Sequence, residues 1–342
     1  MVIREKLEEF ERLTLLPKAT FSSESLGREL DEQLDSLRTC YMVDRDRIIH
    51  CKSFRRLKHK TQVYIKTFGD HYRTRLTHTL EVAQIARTIG VGIGLNESLI
   101  EAIALGHDLG HVAFAHNGEE VLNEFLDGGF RHNEQSVRIA KCLERNGKGL
   151  NLTSEVLDGI LNHSGLSKKS NKARTLEGRI VKYSDKIGYL NHDIDDSIRA
   201  GLISADTIPK EIVKVLGSTH SERIETLVLD MIKTSTENIK QGIIEVSMCK
   251  EVDEAMRELR AFMFNEVYLG DILKEERSKA RFILEQLIDY YMNNQENLPL
   301  FYQEIAKKEN LKRAVADYIA GMSDDYCLDQ FNSIFVPKFV NY

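Results

Sequence analysis

The sequence predicts an all-α protein, and three observations carry that prediction. Proline, the strongest helix breaker, occurs four times in 342 residues, at Pro17, Pro209, Pro299 and Pro337. Leu, Ile, Glu, Lys and Arg, which helices tolerate well, are abundant. Apolar residues recur at three- and four-residue spacing, and no segment shows sustained strand alternation bounded by hairpin turns. Hydrophobic residues make up 42% and charged residues 29%, enough apolar material for a sizeable core in one large domain or two closely packed ones.

In chain order, residues 1–37 join a charged helical start (MVIREKLEEFER) to a Ser-rich stretch from Thr20 to Ser25 and read as an arm. Between Arg45 and Arg75, ten Lys or Arg face only Asp46 and Asp70, so ten minus two gives a local charge of +8 in a chain of net charge −6. A solvated helix face is the usual cause of a charge run, and Ile48, Ile49, Phe54, Leu57 and Val63 show that this segment also packs. The chemistry that follows favours a concentrated anion site instead. Leu80, Ala83, Ile85, Ala86 and Ile89 predict a helix over 76–90. Gly90-Val91-Gly92-Ile93-Gly94 lacks the GK[ST] of a phosphate loop and joins two helices, so it reads as a helix end and turn. Asn96 caps the next helix, which runs through Ile100, Ile103 and Ala104 to His107, with Gly110 as its stop signal. Further helices are expected over 118–126, 133–145, 153–163, 176–198 and 209–217. Residues 221–342 continue as helical segments, with a break at Asn297–Pro299. The stretch 168–174 (KKSNKAR) reads as an exposed basic loop.

The N-terminus is too charged for a signal peptide, and no run of about 18 apolar residues could span a membrane, which makes the cytoplasm the expected compartment. Five widely spaced cysteines with no CxxC pair read as reduced thiols. A net charge of −6 argues against non-specific nucleic-acid binding by the whole surface.

The chemistry concentrates in the histidines, ten of whose eleven lie between His50 and His192. His107-Asp108 stands at a helix end where two adjacent side chains can converge on one ion. His78 on the preceding helix supplies a second imidazole, and Asp185 in a later helix is the fourth candidate. Two imidazoles and two carboxylates suit a divalent ion such as Mn, Mg, Ni, Fe or Zn, with coordination positions left for water and a phosphate oxygen. His116 and Glu119 lie three residues apart on one helix face, an arrangement in which the carboxylate would orient a catalytic imidazole. Asp185, Tyr189 and Asp193, at i, i+4 and i+8, line one face, with Lys186 beside them. That row suits a ligand with phosphate at one end and a sugar hydroxyl at the other.

The segments DRDRIIHCKSFRRLKHKTQV (44–63), RTRLTHTLEVAQIAR (73–87), HDLGHVAFAHNGE (107–119), HNEQS (132–136) and DKIGYLNHDIDD (185–196) strongly resemble the dGTPase-like deoxynucleoside triphosphate triphosphohydrolases of the HD superfamily. SLGRELDE (25–32), ILNHSG (160–165) and DYIAGMSD (317–324) add weaker likeness, so the resemblance touches nearly the whole chain. It implies an all-α HD-domain helical core over 73–198 and a C-terminal helical region over 199–342, within a single 1–342 unit. His78, His107, Asp108 and Asp185 match metal ligands, His116 the catalytic histidine and Glu119 its partner. Arg75, His111, His132, Lys186 and Tyr189 match residues near the triphosphate. Gln62 and Asp193 match contacts to the sugar 3′-hydroxyl, and Val63 matches the residue that leaves no room for a ribose 2′-hydroxyl. The family's members form homo-oligomers, hexamers or tetramers, often regulated by a dNTP as allosteric effector. One departure stands out: Val112-Ala113-Phe114-Ala115 replaces a turn that commonly holds Pro and Gly.

The reaction expected is attack by water on the α-phosphorus of dGTP or several dNTPs, releasing deoxynucleoside and tripolyphosphate, with His116 moving the proton. Another HD-type nucleotide phosphohydrolase or phosphodiesterase is the alternative enzyme. A regulatory module binding nucleotide or single-stranded nucleic acid is the alternative outside enzymology.

Overall fold

The computed structural model describes residues 2–62, 73–165, 172–268 and 270–338, apart from the side chains of 271–273. Every regular element among them is helical, as the proline count and apolar spacing predict. The only β pairing among the described residues is two isolated bridges, Arg28 with Thr153 and Thr61 with Thr74. The arm holds α1 (Ile3–Thr14) and leads to α2 (Cys40–Ile49) and α3 (Lys52–Arg56). The central helices are α4 (Arg75–Ile93), α5 (Glu97–Gly106), α6 (His116–Phe125), α7 (His132–Arg138), α8 (Glu144–Gly147), α9 (Ser154–Leu161) and α10 (Leu176–Arg199). Then follow α11 (Lys210–Leu216), α12 (His220–Lys240), α13 (Lys250–Met263), α14 (Asp271–Asn293), α15 (Leu300–Lys308), α16 (Leu311–Ala320) and α17 (Asp324–Phe335).

The helix ends follow local chemistry. The Asn96 side chain accepts from Leu99 N (3.2 Å) and starts α5, and the Thr175 hydroxyl accepts from Gly178 N (3.1 Å) and starts α10. Gly94, at φ 89°, closes α4 in the left-handed conformation that glycine adopts without a Cβ penalty, as the Gly90–Gly94 reading expects. The helix expected over 133–145 is broken. It passes from α7 into a π-helical turn at Ile139–Leu143, and Arg145 and Asn146 then take positive φ. The break places the Glu144 carboxylate against Ser53 N (2.7 Å) and Ser53 Oγ (2.6 Å), anchoring α3 across 91 residues of sequence.

Two apolar cores form. The larger gathers Ile85 and Ile89 of α4, Leu99 and Ile103 of α5, and Ile187 and Leu190 of α10, with α12 and α13 joining it. Each of these aliphatic side chains gains about 1.5–3 kcal/mol on full burial. The second joins Val112, Phe114 and Leu122 to Leu284, Leu287 and Ile319 of α14 and α16. The chain from His107 to His116 thus leaves one core and enters the other.

Candidate metal centre and the cavity around it

Packing of α4 against α5 and α10 brings three separated stretches to one point. His78 comes from the first turn of α4, His107 and Asp108 from the turn that leaves α5, and Asp185 from α10. His78 Nε2 lies 3.2 Å from Asp185 Oδ1 and 3.8 Å from Asp108 Oδ2. His107 Nε2 lies 3.2 Å from Asp108 Oδ1 and 3.8 Å from Asp185 Oδ1. His107 Nδ1 donates to the Ala104 carbonyl (2.6 Å), which fixes the tautomer and leaves Nε2 as a lone-pair donor. That Nε2 is buried and has no hydrogen-bond partner. An unpartnered imidazole nitrogen facing two carboxylates is what a divalent cation would satisfy, so the residues fit the group the motifs imply. Burial opposes ionisation of Asp108, yet His107, His111 and the Arg75 guanidinium, whose Nη1 is 2.9 Å away, hold its carboxyl well below the usual range. Burial is likewise overcome at Asp185 by its hydrogen bond to His78 and by the nearby imidazoles, which lower its pKa.

The centre opens into a cavity of about 770 Å³. His78, Asp108 and Asp185 reach its wall, and so do Arg75, His111, His116, His132, Lys186, Tyr189, Asp193 and Gln62. His107 is fully buried behind them, and Val63 lies outside the described residues. The i, i+4, i+8 row of α10 faces the cavity as its spacing predicts. The Tyr189 hydroxyl accepts from Arg260 Nε (3.0 Å), and the Tyr268 hydroxyl donates to Asp193 Oδ2 (2.5 Å). Burial pushes Asp193 up to about 6 and Lys186 down to about 7. The buried Oε1 of Gln62 has no partner, leaving an acceptor free at the cavity wall.

The expected pairing of Glu119 with His116 is corrected. Both Glu119 oxygens lie 3.0 Å from His132 Nδ1, and Oε1 also accepts from His132 N (2.9 Å). No hydrogen bond joins Glu119 to His116 among the described residues. Helical spacing does bring the two onto one face of α6, but the N-terminus of α7 carries His132 into the carboxylate first. His116 is exposed to the cavity, and the surrounding walls, followed by the charge of Arg75, lower its pKa and keep the ring neutral.

His132 is held from its other side too, since its Nε2 lies 3.2 Å from Nε2 of His163. His163 Nδ1 donates to the Ile160 carbonyl (2.7 Å), so its Nε2 is the acceptor and His132 Nε2 must carry hydrogen. With a second hydrogen on Nδ1 toward Glu119, His132 is an imidazolium. Burial disfavours that charge, but the Glu119 carboxylate outweighs burial and raises the pKa. Asp108, His111 and His132 also offer donor atoms within 4.8 Å of one another. Both nitrogens of His132 are already bonded, however, so this triangle lacks three free ligands.

Three arginines of the basic run pair with carboxylates outside the cavity. Arg45 pairs with Asp46 (3.0 Å) and Glu101 (3.2 Å), Arg47 with Glu32 (2.7 Å), and Arg73 with Glu81 (2.9 Å) and Asp196 (3.0 Å). Of those ten cations, Arg75 alone lines the cavity among the described residues. Besides Lys186 of α10, the cavity's other Lys and Arg side chains, Arg260, Lys274, Arg277 and Arg281, come from α13 and α14, which carry no motif of their own. Gly110 is not a stop signal, because α5 already ends at Gly106. A Cβ on Gly110 would meet His132 O and Ser136 N at 2.3 Å, so glycine is needed for α7 to approach the centre. Ser136 Oγ bridges Gly110 N and His107 O, both at 2.8 Å.

A helical fold joining a His, a His-Asp pair and an Asp in this way defines an HD domain, and the HD domain family model matches residues 75–190. A phosphohydrolase-associated domain model matches residues 246–333. Proteins described as deoxyguanosinetriphosphate triphosphohydrolase-like are 61% identical in Clostridium perfringens strain 13 and 62% identical in Clostridium tetani E88; the alignments cover all of this chain and 100% and 99% of those proteins. One from Caldanaerobacter subterraneus is 54% identical over 99% of this chain and 97% of its own length. The chain belongs to this deoxyguanosinetriphosphate triphosphohydrolase-like family of HD phosphohydrolases. No helix among the described residues is long and apolar enough to cross a membrane.

Proposed function

We propose that the protein hydrolyses deoxynucleoside triphosphates to deoxynucleoside and tripolyphosphate. The observation that carries this reading is the unpartnered Nε2 of His107, set among His78, Asp108 and Asp185 at the base of a cation-walled cavity. His78, His107, Asp108 and Asp185 would hold a divalent cation, which would supply Lewis acidity for phosphate hydrolysis. Arg75 and the His132 imidazolium offer fixed positive charge to the phosphates. Lys186, pushed down to about 7 by burial, regains its proton fully when an anion enters. Neutral His116 accepts a proton from the attacking water and returns one to the departing 5′-oxygen. Glu119 serves this step through His132, by holding the imidazolium in place. Asp193 and the Gln62 amide accept from the sugar hydroxyl, at the far end of the row that starts at Asp185.

The test is hydrolysis of each dNTP, singly and mixed, in H₂¹⁸O with Mn²⁺. The account expects tripolyphosphate carrying the ¹⁸O and an unlabelled deoxynucleoside. Pyrophosphate or orthophosphate as first product would instead support another HD phosphohydrolase chemistry, and label in the deoxynucleoside would place the attack at carbon.

A further inference from the structure

The turn that delivers His116 holds conformations L-residues rarely adopt. Phe114 has φ 60°, and Ala115 has φ 55° and ψ −130°, the geometry of the first central residue of a type II′ turn, a position dominated by glycine. Ala115 is buried, and His116 follows it directly. Such strain persists only where surrounding contacts enforce it.

Those contacts come from the far end of the chain. Asp324, at the start of α17, is 6% exposed. Its Oδ1 accepts from Phe114 N (3.0 Å), and its Oδ2 accepts from Thr61 N (3.0 Å) and Thr61 Oγ1 (2.7 Å). Lys60 is 2% exposed, and its Nζ donates to the His111 carbonyl and to the Ala320 carbonyl (3.0 Å). The Lys60 carbonyl in turn accepts from Arg75 N (2.9 Å), at the start of α4. Both ends of the 111–115 turn are therefore tied to the α16–α17 junction, and Val112, Ala113 and Phe114 pack in the same second core as α16. A first-turn aspartate can stabilise its own helix from the surface. Here both oxygens are instead committed to N–H and O–H groups of other segments.

We infer that Asp324 is a positioning residue for His116, its carboxylate holding the strained turn so that the C-terminal helices complete the proton-transfer end of the cavity. The inference rests on the role given to His116 above. Its test compares wild type, Asp324→Asn, Ala115→Gly and the double variant. Asparagine offers one acceptor where two are needed. Turnover of a dNTP mixture with Mn²⁺ should fall about tenfold or more, because displacements near 1 Å at a reacting group can cost about a hundredfold. KM and Mn²⁺ bound per chain should stay unchanged. Ala115→Gly lowers the cost of the turn, so the double variant should regain about threefold or more of the lost turnover. Undiminished turnover in Asp324→Asn, or no recovery in the double variant, would overturn the inference. Ala115→Gly alone should raise Tm by about 2 °C, with a smaller gain in the Asp324→Asn background. A fall in Tm, as for an ordinary Ala→Gly change, or equal gains in both backgrounds, would also overturn it. The Tm comparison decides even if Asp324→Asn fails to fold, when the single Ala115→Gly variant suffices, and even if the wild type forms no tripolyphosphate, an outcome that sinks the proposed reaction instead.

Discussion

His107 carries the metal assignment further than any neighbouring side chain, because its Nδ1 bond to Ala104 O leaves a single buried nitrogen with nothing in the protein to bond. Asp185→Ala should lose bound metal, measured by elemental analysis after dialysis; full metal content would remove Asp185 from the ligand set. His116→Ala should keep its metal and lose about 10²–10⁴-fold in turnover, the usual contribution of one acid–base group, whereas full activity would refute its role. His163 gives a pH prediction. Burial, followed by the neighbouring imidazoles of His107 and His132, pushes its pKa down to about 3. Unfolded, it titrates near 6.5. Between those values the unfolded chain binds a proton that the folded one does not, so this stability is complete above about 6.5 and is lost as pH falls toward 3. Metal-free protein should lose about 2 kcal/mol through His163 between pH 7 and pH 5, and urea melts of His163→Gln should show a shallower decline. Equal declines would contradict the buried neutral ring. That His78, His107, Asp108 and Asp185 come together was legible in the sequence, because metals draw on few side chain types and the HD pair marks a centre. The partner of Glu119 was not, since the i, i+3 rule compares residues of one helix and His132 arrives from another. His163 showed only as part of the weaker likeness of ILNHSG, with no role attached to it.

Helix ends were the most readable elements, because Asn96 and Gly94 act on their own backbone and need no distant partner. The basic segment was only partly readable, for the opposite reason. A charge count cannot show that Glu32, Glu81, Glu101 and Asp196 lie across the fold from those arginines. Gly110 shows the same limit, since its requirement comes from the backbone of α7 and not from its own helix. Gly110→Ala should destabilise the protein by about 1–3 kcal/mol, the range for overpacking, and should also weaken activity by moving His132. Thermal melts and turnover together check this; a variant with wild-type Tm would show that the α7 approach is not close.

At the scale of the whole molecule, the all-α class and the central helices were foreseeable, but the division of labour between the two cores was not. Only the folded chain shows that the segment from His107 to His116 spans both, with Leu109 in one and Val112, Ala113 and Phe114 in the other. DYIAGMSD could be noticed as a motif, yet nothing in its letters says that Asp324 bonds Phe114, 210 residues earlier. The central claim is that side chains from three stretches of chain hold one cation. Titration of metal-free protein with Mn²⁺, followed by the EPR signal of the free ion, tests it most directly. The account predicts one tight site per chain in the wild type and in His116→Ala, and none in His107→Ala. A tight site that survives His107→Ala would contradict it.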